Sequence, residues 1–329
     1  MENKIFTTID LFAGIGGIRL GFEKNSFITK YANDFDIYCK ATYDLNFRDV
    51  KLDVKDISRI KSNDLPDFDL LLAGFPCQPF SVAGYRKGFL DTNRGNLFFE
   101  IVRILRNKRP AGFLLENVKN LYTHDNGNTY KVIKDNLNDL GYHVKTEILN
   151  SMIHGNVMQN RERIFIVGFQ NKFESENFKF PLKKKLTQKF KDVIINEVDE
   201  KYYYKDSHPY FNKLNSVVKE ENFYQWRRTY VRENKSGVCP TLTANMGTGG
   251  HNVPIIRDEI GVRKLTPIEC LKLQGFPSNY KLPNLPDSKI YKQIGNSVTV
   301  SVISEIAKEF KRVMNLENNV YNQPIKKAS

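Results

Sequence analysis

Apolar and polar positions alternate between two periods along the first half of the chain. "IFTTIDLF" (5–12) has the short, bounded apolar character of a strand, and "IRLGFEK" (18–24) opens a helix after a glycine turn. "FITKYAND" (27–34) predicts a second strand and "IYCKATYDLNF" (37–47) a second helix. "FDLLLAGF" (68–75) is an almost unbroken apolar run, as expected of a central strand covered on both faces. In "NLFFEIVRILRN" (96–107) the apolar positions 97, 98, 101, 102, 104 and 105 make one helical face. "AGFLLEN" (111–117) and "RIFIVGF" (163–169) add strands. Strands alternating with helices predict a doubly wound α/β domain that binds ligands at the carboxyl ends of its strands.

The periodicity fades after about residue 172, where "NKFESENFKFPLKKKLTQKFK" is charged and "KYYYKDSHPYF" fits neither period. Order returns at "KLTPIECLKLQGF" (264–276), with Thr266 as a helix N-cap and Pro267 as its first residue. A last helix is predicted over 297–314, followed by a polar tail. These changes divide the chain into 1–177, 178–280 and 281–329.

Composition narrows the function. Fifty Lys and Arg against 37 Asp and Glu leave a net charge of +13 on 329 residues, which favours a polyanionic partner such as nucleic acid. The four cysteines (39, 77, 239, 270) form no C-x-x-C pair and the five histidines no ligand cluster, so no metal site is expected. The N-terminus lacks the apolar core of a signal peptide, and the run around "LLLAGF" is too short to span a bilayer. A cytoplasmic protein with reduced thiols and no membrane association is therefore expected.

Four short stretches carry candidate chemistry. "DLFAGIGGIRLGFE" (10–23) sets a Gly-rich turn between strand and helix, but the third glycine of a dinucleotide fingerprint is replaced by Arg19. Asp34, 20 residues after Gly14, is placed to accept hydrogen bonds from ribose hydroxyls. A ligand with a ribose and no phosphates suits both features, S-adenosylmethionine (AdoMet) being the candidate; a packing turn beside a solvated aspartate suits them too. "GFPCQPFS" (74–81) holds Cys77 between two prolines after the central strand, as a nucleophile or as a buried spectator. Glu116 ends the next strand, either in the same pocket or as a surface cap. In "QNRERIFIVGF" (159–169), Arg161 and Arg163 alternate with Glu162, a pattern suited to carbonyl or phosphate recognition and equally to edge salt bridges.

Together, and in this order, these stretches resemble the DNA (cytosine-5)-methyltransferase family. "DLFAGIGG" looks like its first motif, "GFPCQPFS" its catalytic loop, "ENV" its glutamate motif and "QNRERI" its Gln-x-Arg-x-Arg motif. "RKLTPIECLKLQGFP" (263–277) and "GNSVTV" (295–300) resemble its last two motifs, so the likeness runs from about residue 5 to about 312. The resemblance implies an AdoMet-dependent, Rossmann-like methyltransferase domain with a smaller, mostly β or irregular target recognition domain. It implies that Cys77 adds to C6 of a flipped cytosine, that Glu116 contacts N3 and the exocyclic amine, and that Arg163 holds O2 with Arg161 supporting the loop. For AdoMet it implies Phe12, Gly14, Gly16, Gly17, Asp34, Phe35, Asp56, Ile57, Pro76, Leu97, Asn296 and Val298, without a metal. The last two require the end of the chain to fold back onto its beginning.

The weakly patterned region then becomes the DNA-reading unit. Within it "FYQWRRTYVRENKSG" (223–237) interleaves Tyr224, Trp226 and Tyr230 with Arg227, Arg228 and Arg232. "TLTANMGTGG" (241–250) offers Thr241 and Asn245 in what resembles the family's Thr-Leu segment. One departure is Ala83, where some relatives carry a polar residue near the flipped base. The resemblance implies a double-stranded DNA substrate, a monomer in the cytoplasm of a bacterial or phage-carrying cell, and a cognate restriction endonuclease without a stable complex. The alternatives are a tRNA cytosine methyltransferase and a catalytically inert DNA-binding relative.

Overall fold

The structure is a computed structural model and describes residues 4–76, 97–248 and 252–321; Cys77 and Ala83 lie outside the described residues. A seven-stranded sheet runs in the order β3-β2-β1-β4-β5-β8-β6. Its strands are β1 (Thr7–Leu11), β2 (Ile28–Asp34), β3 (Asp53–Val54), β4 (Leu70–Gly74), β5 (Gly112–Val118), β6 (His143–Asn150) and β8 (Glu162–Phe169), with a two-residue β7 (Gln159–Asn160) preceding the last. All pairings from β3 to β5 are parallel, whereas β8 enters antiparallel between β5 and β6.

Helices cover both faces, as the alternation predicts. The α2 helix (Ile37–Asn46) follows β2, and on one side of the sheet α3 (Leu97–Lys108) buries Phe98, Ile101, Val102, Ile104 and Leu105. Beside it α4 (Asn128–Asp139) contributes Ile133 and Leu137 to the same core. On the other face α1 (Gly17–Glu23) and the C-terminal α7 (Val300–Tyr321) pack Phe22, Val302, Ile306 and Phe310 onto β4, β5 and β8. The contact is close enough that a Cβ on Gly21 would lie 2.4 Å from an Ile303 methyl group. The end of the chain thus completes the layer begun by its start.

Most of the chain between β8 and α7 builds a second, smaller region. An antiparallel sheet of order β10-β9-β12-β13 comprises β9 (Tyr224–Arg227), β10 (Tyr230–Glu233), β12 (Ile255–Arg257) and β13 (Val262–Lys264). A two-residue strand β11 (Cys239–Pro240) pairs in parallel with β7. The α5 helix (Pro267–Leu273) starts with the expected Thr266 cap, and Glu269 returns a bond to the Thr266 N–H. The α6 helix (Asp287–Asn296) was not separately expected, and the helix predicted from 297 begins only at Val300. Ser297–Thr299 break the run because Ser297 N–H still bonds the carbonyls of Gln293 and Ile294, while Val300 N–H turns to Gln274 O at 2.8 Å. Among the described residues no helix is long and apolar enough to cross a membrane, and no cluster of three or more metal-ligating side chains occurs.

Candidate active site

The strand register collects the candidate chemistry at one sheet edge. Gly74, the last residue of β4, pairs with Glu116, and Glu116 pairs with Phe165 on β8. Arg163 therefore stands two residues along from Phe165, on the same face as Glu116. Glu116 is buried, and Arg163 Nε lies 3.1 Å from its Oε1. The N–H is not aimed at that oxygen, which has no hydrogen bond among the described residues. Burial pushes the Glu116 carboxyl above its ordinary range, and the charges of Arg163 and Arg161 pull it back. A partly dry carboxyl with a free oxygen beside a guanidinium suits an amidine-like ring edge, to which it can donate when protonated.

Arg161 has a different task from Arg163. It is only 2% exposed, and its guanidinium donates to Leu242 O at 2.7 Å and to the carbonyls of Gly295 and Ser297. It thereby ties β8 to the segment after β11 and to the break between α6 and α7. Arg163 donates to Glu162 O at 2.8 Å and otherwise faces Glu116, while Glu162 points away to Lys119 at 3.0 Å. Asn117 carries a role that the motif reading left unassigned. Buried next to Glu116, its amide donates to Phe75 O at 2.9 Å and anchors the chain at the approach to Cys77. Its only sequence signal is adjacency to Glu116 in "ENV". The three described cysteines, Cys39, Cys239 and Cys270, are all buried, and burial pushes each thiol up, so none is poised as a nucleophile.

The glycine turn forms a second half of the site. Phe12, Gly14 and Gly16 have φ of 54°, 54° and 77°, which carries the chain from β1 into α1. Gly14 N–H donates to Asp34 Oδ2 and Asp36 N–H to Asp34 Oδ1, both at 2.8 Å. Among the described residues a Cβ on Gly14 would meet nothing within 4 Å, so none of them closes that side, whereas one on Gly16 would strike the Phe47 ring at 2.3 Å. Phe35 is 72% exposed beside this opening in sequence, a bare ring next to a carboxylate with lone pairs to spare. These residues fit a ribose-bearing ligand with a flat base. Gly17 packs against Ser297 and Val298, so the predicted return of the C-terminal segment to the turn is present.

The other cofactor candidates differ in what they offer. Asn296 and Pro76 are exposed and Leu97 is half-buried. Asp56 caps a short turn, taking the N–H and hydroxyl of Ser58 on Oδ1. Ile57 is 3% exposed and belongs to the core, and its carbonyl already accepts from Ile60 N–H and from Arg103, both at 3.2 Å. Arg19, at the missing third glycine, points away from the turn: it holds Asp49 through two bonds of 2.6 and 2.7 Å and Glu23 at 2.6 Å. Behind the turn Asp10 is wholly buried with neither oxygen hydrogen-bonded among the described residues, and burial raises its pKa to about 8 against the pull of Arg19.

The smaller region separates the remaining candidates. Gln225, Arg227, Tyr230 and Arg232 share the outer face of the β9–β10 hairpin, and Arg228 with a φ of 47° forms its turn. Gln225 Oε1 accepts from Arg227 at 2.9 Å and from Arg232 at 2.6 Å. Tyr224 and Trp226 correct the aromatic interleaving read from the sequence: both are buried in the core of the small sheet, because alternate residues of a strand face opposite ways. Thr241 and Asn245 stand elsewhere, on the segment after β11; Thr241 donates to Asn160 O at 2.7 Å and Asn245 is exposed.

Both the sequence and the fold match known proteins. The family model described as C-5 cytosine-specific DNA methylase matches residues 6–312. The type II methyltransferase M.Bsp6I of Bacillus sp. (strain RFL6) is 52% identical over 309 residues, covering 92% of this chain and 98% of the relative. The type II methyltransferase M.HaeII of Haemophilus aegyptius is 42% identical, with 98% of each chain covered. Among solved structures, a DNMT2 mutant of Spodoptera frugiperda superposes with a TM-score of 0.72 at 22% identity, covering 93% of this chain and 99% of that one. At that identity the likeness shows the fold alone.

Proposed function

The chain belongs to the C-5 cytosine-specific DNA methylases and so transfers a methyl group to C5 of cytosine in DNA; from this premise we propose how its own residues carry the reaction. Cytosine C5 is a poor nucleophile until a thiolate has added next door. Cys77, three residues beyond the end of β4, supplies that thiolate to C6 of a base turned out of the duplex, since neither ring face is reachable in the stack. Glu116 in its protonated form donates to N3 as negative charge develops, and Arg163 holds the O2 carbonyl. The Cys77–C6 bond and the N3 proton make C5 an enamine carbon. AdoMet, when bound, supplies an electrophilic methyl carbon. After loss of the C5 proton, elimination breaks the Cys77–C6 bond, returns the thiolate and gives the N3 proton back to Glu116. Arg161 positions rather than catalyses, because both terminal nitrogens of its guanidinium donate to main-chain carbonyls.

The observation that carries this reading is the buried Glu116 with its unbonded oxygen beside Arg163, on the strand next to the one that leads to Cys77. For the cofactor, Asp34 would take the ribose, Phe35 the base, and the open side of Gly14 the close approach. Residues 178–280 read the site, with Arg227, Arg228, Arg232, Thr241 and Asn245 as the contacting groups, and the enzyme works as a monomer that protects DNA against a companion endonuclease. The naming of its relatives as type II methyltransferases supports that last step. The RNA alternative is not favoured, since the relatives at 52% and 42% identity are named for type II systems.

A duplex with 5-fluorocytosine at the target tests the mechanism, because the departing proton is missing and elimination cannot follow. A covalent complex formed in the presence of AdoMet, and lost in Cys77→Ala, is the expected result. Turnover without a trapped adduct would overturn the addition step.

A further inference from the structure

Three consecutive residues at the entry to β8 grip the segment after β11 by its backbone. Gln159 is wholly buried, and its Oε1 accepts the Leu242 N–H at 3.0 Å. Arg161 donates to the carbonyl of the same Leu242 at 2.7 Å. Between them the Asn160 carbonyl accepts the Thr241 hydroxyl at 2.7 Å. Both main-chain polar groups of one residue are therefore held by side chains two positions apart, and the neighbouring side chain by the backbone between them.

The amide end of Gln159 is equally committed. Its Nε2 donates to Leu273 O at 2.9 Å and to Gln274 Oε1 at 3.2 Å, and Gln274 in turn donates to Ile294 O at 3.1 Å. From the far side α6 closes on the segment: a Cβ on Gly295 would lie 2.1 Å from the Thr243 carbonyl carbon, and one on Gly247 would lie 2.3 Å from Ser288 O. Burying such an amide gains little net stability over an apolar side chain of the same shape. It does have a single register in which each donor and acceptor is satisfied, and a slip by one residue orphans them in a dry interior. Leu242 itself is buried and reads nothing, whereas Thr243 and Asn245 are exposed on its flank.

We propose that Gln159 is a specificity-determining positioning residue. By fixing the main chain of Leu242 it sets the register in which Thr241, Thr243 and Asn245 meet the duplex relative to the base site at Glu116 and Arg163. The inference rests on reading 241–245 as a DNA-contacting segment.

The test compares methylation rates on the cognate duplex and on the same duplex with one recognised base pair changed, a ratio that does not depend on the fraction of enzyme folded. In Gln159→Met this ratio is expected to fall about tenfold, the scale of one lost base-pair discrimination, with AdoMet affinity unchanged by titration. Gln159→Asn, too short to reach Leu242, carries the same expectation if the Met variant does not fold. Gln293→Leu removes another buried amide, one that bridges Thr42 and the Tyr38 carbonyl, and should lower Tm without moving the ratio. An unchanged ratio in the Gln159 variants alongside a shifted one in Asn245→Ala overturns the positioning role and leaves the segment's DNA contact standing. If Asn245→Ala and the Gln159 variants all keep the wild-type ratio, the reading of the segment falls as well.

Discussion

Two pairs of arginines stand at the two sheets of this protein, Arg161 and Arg163 at the entry to β8 and Arg227 and Arg232 on the β9–β10 hairpin, and they differ in their surroundings. At one end of the large sheet Arg161 is buried and held by three carbonyls, and Arg163 is half-buried beside Glu116. Arg227 and Arg232 are exposed on the β9–β10 hairpin and share one amide oxygen of Gln225. In the dry pair each charge acts over a short range in one direction, which is what stabilising a developing charge requires. In the wet pair water and salt screen the charge, and the donors stay free to exchange partners, which is what scanning a polyanion requires. On the proposed roles, the same side chain serves the base site at Arg163 and DNA reading at Arg227 and Arg232 because burial differs.

Mutations should separate the two regions in that order of size. Cys77→Ala is expected to abolish methyl transfer while cognate DNA is still bound in a gel-shift assay; residual turnover at the wild-type rate would remove the nucleophile from the dry site. Glu116→Gln should lower kcat by about 10²–10⁴-fold, the usual scale for a positioned proton donor. It should also change the pH profile. Burial raises the Glu116 pKa, so the protonated donor persists above the ordinary carboxyl range and wild-type activity falls as pH climbs through the raised value. The Gln variant cannot lose that proton, and a surviving alkaline limb of the same shape would assign it to another group.

On the exposed side the effects should be smaller and depend on salt. Arg232→Ala is expected to weaken cognate binding by about 1–3 kcal/mol and to relax discrimination at one base pair. Equal weakening on every sequence, with a salt slope shallower by about one, would make it a phosphate contact instead. Gln225→Ala should cost least, about 0.5–1 kcal/mol of affinity, since it removes only the shared acceptor that aligns two exposed guanidinium groups.

Legibility followed the strength of the local pattern. The central strand expected over 68–75 is β4 at Leu70–Gly74, and the helix expected over 96–107 is α3 at Leu97–Lys108, because an apolar run or face of that density has one solution. No expectation covered β6 or α4. The first is an edge strand with only Leu149 buried, and the second buries only Thr129, Ile133 and Leu137 and starts without a side-chain cap. The misread ring pattern at Trp226 has a similar cause: a run of alternating aromatics and arginines does not say which face has a core behind it.

The order and identity of the reactive groups belonged to the sequence alone. Short motifs state which residue types stand at the end of which strand, and each is a local property of a few neighbouring residues. What holds those groups in place came only from the folded chain. Arg161 reaches Leu242 across 81 positions and Gly295 across 134, Gln159 reaches Gln274 across 115, and Gly17 touches Val298. Such contacts join segments far apart in the chain and require the loops between them to lose their freedom, and no periodicity within a window of residues encodes that closure.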